Sequence, residues 1–500
     1  MIRTDLTTQR AVRATAQDAS RWAMLAVLLL GQFMGLVDVF VVNVALPTIG
    51  VDLHASGAAL QLVVGGYTVA YAMLLITGAR LGDLYGRRRI YLLGVIVFTG
   101  ASLVCGFAPS SLALIIFRCV QGAGAAVMVP QIMSLIQMRF NGTARATALS
   151  AYGVALSTGA VAGLVVGGVL VSANLLGATW RPVFLVNVPL GIILAVLTPR
   201  VVPADAPRAT RRLDIGGLAI AMAAVCLVVL PLVLGHELGW PAWTVVCIAA
   251  GVGLAGIFVA VERRIAARGG DPLLNLGVLR APGIASGLTT LSCMQMTYGG
   301  FLFVFTLHLQ AGLGESALRA GLTYVPMGAA FGLVGFYWRT LPDRMHHTLM
   351  PIGLALCALA YLGIATAVRG GTPGGLLLWV ALVVDGVGMG LAASPLLTQS
   401  LVHVPLSQAA DASGVLTTTM QLGQVVGVAV FGAVFLSLEQ RSAPHLSAQA
   451  HVSAAALSTT SDGLALLAMV GVVAALALSR AVPRATQRTA REEVSAPATR

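Results

Sequence analysis

Three charged side chains lie inside long apolar stretches of the sequence. Asp38 lies in LVDVFVVNVALP, Arg118 in FRCVQGAGAAVMVP and Asp385 in LWVALVVDGVGMGLAASPL. A carboxylate in an apolar medium must be paired, hydrated or protonated, and a buried arginine must find acceptors because it keeps its proton. A carboxyl group that exchanges a proton beside a fixed positive charge can link proton movement to a change of shape. We therefore predict proton coupling through these three residues. The alternative for Asp38 is a structural hydrogen bond to a neighbouring helix, and the alternatives for Asp385 are a substrate-facing role and a local structural pair.

A few uncharged polar residues lie in the same kind of stretch. Asn43 follows Asp38 by five residues, and Gln121 follows Arg118 by three, about one helical turn. We predict that these and three later glutamines line a substrate cavity: Asn43, Gln121, Gln295, Gln421 and Gln424. Such a cavity, with few polar groups, favours apolar and cationic molecules over sugars. His308 could titrate, but a histidine satisfied by its surroundings explains it equally well.

The composition is that of an integral membrane protein. Hydrophobic residues make up 58% of the 500 residues and charged residues 10%, whereas soluble domains are about 45–50% apolar and about 25% charged. The six cysteines lie in apolar stretches without metal-ligand or disulfide spacing. No nucleotide-binding or catalytic motif is present, so we expect no cofactor, no metal and no enzyme activity. The arginines occupy short loops, which favours a role in membrane topology over binding of nucleic acid.

Fourteen apolar stretches are long enough to cross a bilayer as helices. They fall near 22–46, 58–79, 90–108, 112–133, 146–172, 182–199, 214–234, 241–261, 283–309, 319–337, 350–367, 376–402, 412–438 and 462–480. With the N-terminus in the cytoplasm, 25 of the 30 arginines lie on that side, four lie on the other side and Arg118 lies within a span. Cytoplasmic loops carry an excess of basic residues. We therefore predict a multi-pass protein of the inner, cytoplasmic membrane with both termini cytoplasmic.

The predicted fold class is an all-α polytopic membrane protein with two six-helix bundles and two linker helices. The bundles are 22–199 and 283–480; a hinge and linker helices 7 and 8 occupy 200–261, a cytoplasmic loop 262–282, and cytoplasmic tails 1–21 and 481–500. We expect Pro47 to end the first helix and the polar segment 439–461 to be a loop. GARLGDLYGRRR at 78–89 aligns with WRTLPDRMHHTL at 338–349. Such parallel repeats are typical of secondary transporters.

The loop at 79–94 places one acid among four arginines. Asp83 could accept hydrogen bonds from a facing helix N-terminus and pair with Arg87 or Arg88, which would latch one conformation. The repeat places Asp343 at the position equivalent to Asp83. We predict that Asp83, with Arg87 or Arg88, and its repeat equivalent Asp343 belong to a cytoplasmic gate.

A row of glycines follows one face of the fifth predicted span. Gly159, Gly163 and Gly167 recur every four residues, with Gly168 beside them. Small residues at this spacing let two helices approach closely. We predict close helix packing along this glycine seam; whether the seam also limits ion leak is left open.

Six motifs in order resemble the major facilitator superfamily, in particular its fourteen-span drug:proton antiporter branch, over nearly the whole chain. ARLGDLYGRRR is similar to the signature of the loop between helices 2 and 3, RCVQGAGAA to the fourth-helix motif, TGAVAGLVVGG to the fifth-helix antiporter motif and LVDVFVVNVALP to the first-helix signature. WRPVFLVNVPLG and ADASGVLTTTMQLGQVVGVAVFG also resemble stretches of that branch. The chain departs from the pattern at Ala79, at Leu84, and at Leu164, where proline is usual.

The resemblance implies a carrier that works by alternating access, with a central cavity between two bundles and with spans seven and eight at the periphery. It implies that Asp83, Gly86, Arg87 and Arg88 form the gate, that Arg118 takes part in proton coupling and that Asp38 lies in the cavity. We predict proton-coupled export of small amphipathic or cationic drugs by a monomer. The alternatives are a transporter of a specific metabolite with the same fold, and a polytopic membrane enzyme or sensor.

Overall fold

The computed structural model describes residues 2–205, 214–270, 272–273, 284–342, 345–401, 409–442 and 449–495, and in these residues it contains helices and no strands. The α-helices are α1 Ile2–Asp52, α2 Gly57–Tyr85, α3 Arg87–Gly106, α4 Ser111–Arg139, α5 Gly142–Ala173, α6 Pro182–Leu185, α7 Asn187–Val201, α8 Ile215–Glu237, α9 Ala242–Ala267, α10 Ile284–Leu307, α11 Ala317–Thr323, α12 Val325–Tyr337, α13 His346–Ala367, α14 Gly375–Leu401, α15 Ala409–Ser442 and α16 Gln449–Ser495. A π-helical turn, His308–Gly312, extends α10.

Fourteen helical segments within the described residues are long and apolar enough to cross a membrane, which confirms the predicted fold class. Two of these segments are built from two consecutive helices. α6 and α7 form the sixth segment and α11 and α12 form the tenth. Prolines explain both breaks, because Pro189 and Pro326 remove a backbone donor early in the second helix of each pair.

The helices pack in two groups. In the first group, α4 lies against α2 and α3, α1 against α5, and α3 against α7; in the second, α10 lies against α15 and α16, and α14 against α12 and α13. The two groups meet where α2 contacts α15 and where α5 contacts α11 and α12. One large buried apolar cluster runs through both groups and includes Val41, Phe184, Phe301 and Leu382.

The linker helices α8 and α9 pack together as a pair, and α8 lies along both α2 and α15. Buried apolar side chains join the three helices, and we call the following residues the linker patch: Ala58, Val229, Val233, Val425 and Ala429. Glu237, the last residue of α8, accepts a hydrogen bond from the backbone N–H of Ala58 at 2.7 Å. This carboxylate satisfies a free donor at the start of α2 and fixes the end of α8 beside it.

Two sequence-based expectations about helix ends are wrong. Pro47 does not end α1, which continues to Asp52; prolines are tolerated in membrane helices where neighbouring helices satisfy the carbonyls that they leave free. The expected loop 439–461 is helical at 439–442 and again from Gln449. Its polar residues are accommodated inside the fold, because Thr460 donates to the Ala456 carbonyl at 2.7 Å and Ser453 bonds His308 at 3.0 Å.

Candidate functional site

Asp38 accepts three hydrogen bonds from two other helices. Its Oδ2 accepts from Arg118 Nη1 at 2.6 Å, and its Oδ1 accepts from Gln121 Nε2 and from Asn187 Nδ2, both at 2.7 Å. The exposed fraction is 0% for Asp38 and 1% for Arg118. A buried ion pair is tolerated only with good geometry and with further hydrogen bonds to the charged groups, and this site provides both.

A second layer of contacts holds the donors in place. Ser102 Oγ accepts from Gln121 at 2.9 Å and from Asn187 at 3.0 Å, and donates to the Phe184 carbonyl at 3.0 Å. Arg118 Nε donates to the Val63 carbonyl at 3.1 Å, and the guanidinium lies 4.4 Å from the centroid of the Tyr67 ring. Together with Asp38, these residues bring six helices of the first group, α1, α2, α3, α4, α6 and α7, to one point.

Local sequence explains how α4 and α7 present these donors. Arg118 and Gln121 are three residues apart, so they share one face of α4, and Arg118 Nη1 donates to Gln121 Oε1 at 2.8 Å. Asn187 is the first residue of α7, after the break that follows Leu185. Because Pro189 has no N–H, the Leu185 carbonyl lacks its usual donor and the chain restarts its helix at Asn187. The break places the Asn187 amide next to Asp38.

The surroundings of Asp38 differ from the cavity position that the family resemblance implies. The carboxylate lies inside the first helix group, with no exposed surface in this conformation. The sequence did not single out Asn187, Ser102 or Tyr67. An asparagine inside the apolar run WRPVFLVNVPLG was a usable signal, whereas a serine or tyrosine in a membrane helix is too common to identify a site.

Asp385 on α14 is a buried acid of the second helix group, with an exposed fraction of 0%. Among the described residues, the Cys357 thiol and the Tyr361 hydroxyl of α13 are the groups that approach its carboxylate, and neither makes a hydrogen bond of good geometry to it. Gly386 and Gly388 lie beside it on α14. A Cβ at Gly386 would clash with the Met327 carbonyl of α12, and one at Gly388 would lie 2.5 Å from the Gly353 carbonyl of α13. The glycines therefore allow two helices to close tightly around Asp385.

The predicted gate residues lie where α2 ends and α3 begins. Asp83 forms an ion pair with Arg87, while Gly86 has φ +93°, which favours glycine. The N-terminus of α3, however, is capped by Asp205 and not by Asp83. Asp205 accepts from the backbone N–H of Arg87 at 3.0 Å and of Arg88 at 3.3 Å, and its side chain is 6% exposed against 48% for Asp83.

Asp83 thus pairs with Arg87, whereas the carboxylate at the N-terminus of α3 is that of Asp205. A facing helix N-terminus as a partner of Asp83 stays a prediction. Asp205 lies in the Pro- and Arg-rich hinge, where no local sequence feature marks it as a helix cap. Arg88 donates to the Val202 carbonyl at 3.4 Å in the same region. Asp343 lies outside the described residues.

The glycine seam packs against both helix groups. Gly159 faces Leu36 of α1, and Cβ atoms at Gly163 and Gly167 would lie 2.9 Å from the Val37 carbonyl and 2.8 Å from the Val41 carbonyl. Gly168 faces α11 instead, where a Cβ would lie 2.8 Å from the Ala317 carbonyl. The backbone of α5 therefore lies directly against α1, in its own group, and against α11, in the other group.

The predicted cavity residues do not share one surface. Gln121 belongs to the Asp38 network, and Asn43 donates to the Val39 carbonyl of its own helix at 3.0 Å. Gln295 and Gln424 are each 7% exposed and lie where α10 packs against α15. Gln421 is half-buried on α15. His308 bonds Ser453 through Nδ1, and its Nε2 has no partner.

Two hydrogen bonds join the helix groups at the end farthest from the N-terminal residues of α1. Gln310 donates to the Val44 carbonyl at 2.8 Å, and the backbone N–H of Leu318 donates to Ser172 Oγ at 2.9 Å. We call Val44, Ser172, Gln310 and Leu318 the distal contact. Nearer the middle, Thr418 donates to the Ala72 carbonyl at 3.5 Å. The close packing of Gly168 on Ala317 lies beside the distal contact, so the two groups are closed together at that end.

These features define a multi-pass α-helical membrane protein built from two packed helix groups, each with an acid in its interior. The chain belongs to the Major Facilitator Superfamily, whose sequence model matches residues 28–428. Relatives include the "Probable actinorhodin transporter" of Streptomyces coelicolor, 39% identical over 84% of this chain and 73% of the relative. The "Cephamycin export protein CmcT" of Amycolatopsis lactamdurans is 35% identical, over 83% and 85% of the two chains. The "Multidrug resistance protein Stp" of Mycobacterium tuberculosis is 33% identical, over 83% and 76%.

Solved structures share the fold at low sequence identity. A bacterial homologue of the human lysosomal transporter Spinster, in an inward-facing and unoccupied conformation, is 18% identical with a TM-score of 0.69, covering 93% of this chain and 98% of that one. The POT family transporter PepTSo is 12% identical with a TM-score of 0.65, covering 92% of this chain and 98% of that one. These similarities show the arrangement of helices.

Proposed function

We propose that the protein exports small amphipathic or cationic drugs, antibiotics among them, across the cytoplasmic membrane in exchange for protons. By name, the three relatives described above are a probable actinorhodin transporter, a cephamycin export protein and a multidrug resistance protein. The arginine bias supports cytoplasmic termini, and with this orientation the distal contact lies on the outer side. In this orientation the structure is closed to the outside, as is the inward-facing Spinster homologue.

The observation that carries the proton exchange is the Asp38–Arg118 pair. When Asp38 binds a proton it loses its charge, and Arg118 then lies buried without its counter-ion, which is unfavourable. The pair must therefore separate or become hydrated when the proton binds. When the proton leaves for the cytoplasm, the three hydrogen bonds to Asp38 form again. The protonated and ionised states thus favour different arrangements of α1 and α4.

The packing of α1 offers a route from this site to the two helix groups. Asp38 faces α4, while Val37 and Val41 of the same helix lie against Gly163 and Gly167 of α5. The next glycine, Gly168, lies against α11 of the other group. We propose that a shift of α1 moves α5 at the distal contact, that the bundles 22–199 and 283–480 rock about this region, and that the loop residues Asp83, Gly86, Arg87 and Arg88 gate the cytoplasmic side.

Proton exchange supplies enough free energy for export. One charge that crosses 100 mV contributes about 2.3 kcal/mol. Because about 1.4 kcal/mol corresponds to a factor of ten, one coupled charge sustains roughly a 50-fold drug gradient. Since the pair and its network lie within one chain, we propose that a monomer is sufficient, with the linker helices α8 and α9 at the periphery.

The test uses everted membrane vesicles that contain the protein or its Asp38→Asn variant at equal amounts. We expect vesicles with the wild-type protein to accumulate a fluorescent cationic dye when a proton gradient is present. This uptake should stop when a protonophore is added. The variant should show no gradient-driven uptake. Uptake that resists the protonophore would point to another energy source, and unchanged uptake by Asp38→Asn would remove Asp38 from the mechanism.

A further inference from the structure

Asp38 and Asp385 are both fully buried, but only Asp38 has a positively charged neighbour. In a buried site, such a counter-charge decides whether a carboxyl group is ionised. Asp38 has an arginine and two amides as donors. Asp385 has only the uncharged Cys357 thiol and Tyr361 hydroxyl beside its carboxyl group, neither in good hydrogen-bond geometry, and no ion pair involves it among the described residues. An ionised carboxylate without a counter-charge is strongly disfavoured in a low-dielectric interior, so a group in that position takes up a proton.

The helices packed around Asp385 supply no positive charge. From α13 come the Cys357 thiol and the Tyr361 hydroxyl, and from α10 comes Tyr298. On the α12 side Met327 and Ala330 lie against the neighbouring Gly386. Thiol and phenol groups are uncharged at neutral pH. The pocket is therefore suited to a neutral carboxylic acid, which can donate its own proton, and unsuited to a carboxylate.

Resting on the proton exchange proposed above, we propose that Asp385 is a second proton-carrying site, which holds its proton in this conformation while Asp38 is ionised by Arg118. On release, the O–H bond of the Asp385 carboxyl group breaks and its proton passes to water that enters from the cytoplasm after the Asp38 proton has left. Both acids are loaded again from the outer side. They thus unload one after the other to the same side and contribute two protons to each cycle.

An aromatic contact links Tyr298, which lies near Asp385, to the movement of the helix groups. Tyr298 is half-buried, and its ring lies edge-on to that of Phe40 in α1, with centroids 6.2 Å apart. Phe40 is two residues from Asp38 and packs on Gly163 of the glycine seam. A separation of α1 from α10 therefore removes Phe40 from Tyr298, on the side from which water would approach Asp385.

The first experiment counts protons. Purified protein in proteoliposomes transports ethidium, a monovalent cation, while proton flux and dye flux are recorded together for the wild type, Asp385→Asn and Asp385→Glu. We expect two protons per dye in the wild type and in Asp385→Glu, with faster exchange when a membrane potential is imposed. Asp385→Asn should move one proton per dye and should lose the response to the potential, because the exchange becomes electroneutral.

Several outcomes would overturn this proposal. One is a wild-type count of one proton, and another is an unchanged count in Asp385→Asn. Loss of ethidium binding by Asp385→Asn with an unchanged proton count would make Asp385 a ligand of the cargo instead. A wild type that transports ethidium without any proton flux would contradict the proposed function itself. If instead the wild type exchanges protons for ethidium and Asp385→Asn does so with the same proton count, only the role given to Asp385 is contradicted.

A second measurement does not require transport. Infrared spectra of folded protein at neutral pH, wild type minus Asp385→Asn, should contain the carbonyl band of a protonated carboxylic acid. The matched control is Asp38→Asn, whose difference spectrum should lack that band because Asp38 is ionised beside Arg118. Absence of the band from the Asp385 difference spectrum would overturn the proposal even if Asp385→Asn is inactive.

Discussion

Asp205 caps the helix that begins at Arg87, because its Oδ2 accepts the backbone N–H of Arg87 at 3.0 Å from a position 118 residues further along the chain. The same carboxylate lies 3.6 Å from the Arg87 guanidinium, which also pairs with Asp83. Arg87 therefore connects two acids, one in its own loop and one in the hinge after α7. The loop between α2 and α3 is held by the hinge that leads to the linker helices.

We predict that Asp205→Ala destabilises the protein more than Asp205→Asn. Alanine removes both the cap and the charge, whereas asparagine still caps a helix well. The alanine variant should lose about 1 kcal/mol of unfolding free energy, and the asparagine variant only a few tenths. Thermal or denaturant unfolding in the same detergent measures the difference. Equal stability of the two variants would show that the cap seen here does not stabilise the fold.

We predict that lysine cannot replace Arg118. The guanidinium contacts Asp38, Gln121 and the Val63 carbonyl at the same time and stacks on Tyr67, whereas a lysine ammonium cannot match this geometry. Gradient-driven dye efflux should fall by about tenfold or more in Arg118→Lys, as expected when a charged hydrogen bond is lost. Arg319→Lys is the control, since Arg319 is 69% exposed and pairs with Glu315 on the surface. Normal efflux in Arg118→Lys would mean that only the charge matters.

We predict that Gly167→Val and Gly168→Val impair transport for different reasons. The first variant pushes α5 from α1, and the second pushes α5 from α11, each at an overpacking cost of about 1–3 kcal/mol. Gly168→Val should open the distal contact, whereas Gly167→Val should disturb the helix that carries Asp38. Gly153→Val on the same helix is the control, because among the described residues no atom of another helix lies within 4 Å of its added Cβ. Dye efflux and thermal stability report the effects, and an equal loss in all three would implicate helix propensity instead of packing.

We predict that Gln310→Leu shifts the protein towards a conformation open at the distal contact. The substitution removes the hydrogen bond to Val44 that joins the two helix groups. In a cysteine-free background, a cysteine in place of Ala317, which is 7% exposed, should react severalfold faster with a membrane-impermeant maleimide when Gln310→Leu is added.

The matched control for this experiment is Gln449→Leu. Gln449 makes the same kind of bond, to the Ala311 carbonyl at 3.1 Å, but within one helix group. Its loss should leave the labelling rate unchanged. Equal acceleration by both variants would indicate local loosening around the π-helical turn and would contradict the role given to Gln310.

The number of spans could be predicted from the sequence because each span must satisfy its backbone internally over a fixed thickness, which leaves a long apolar run. The pairing of Arg118 with Gln121 also follows from spacing along one helix. The partners of Asp38 do not, because Asn187 and Ser102 reach it only through the packing of separate helices. Asp205 was missed for the same reason, since nothing local indicates which helix a hinge acid will cap.

The course of α1 past Pro47 shows how tertiary contacts override a local signal. Pro47 deprives the Asn43 carbonyl of its usual donor, and this makes the end of a helix the natural expectation. In the structure, Gln310 donates to the adjacent carbonyl of Val44, and the helix continues. A residue 266 positions away supports the backbone near the proline, and no sequence window around Pro47 contains that information.

The linker patch makes the two flanks of the protein unequal. On one flank, α8 covers the line along which α2 meets α15, and its apolar side chains fill the space that lipid tails would otherwise occupy. On the opposite flank, α5 meets α11 and α12 without a covering helix among the described residues. A molecule dissolved in the lipid that moves sideways out of the bilayer therefore has direct access to the boundary between the helix groups on the α5 flank, whereas α8 blocks that access on the other flank.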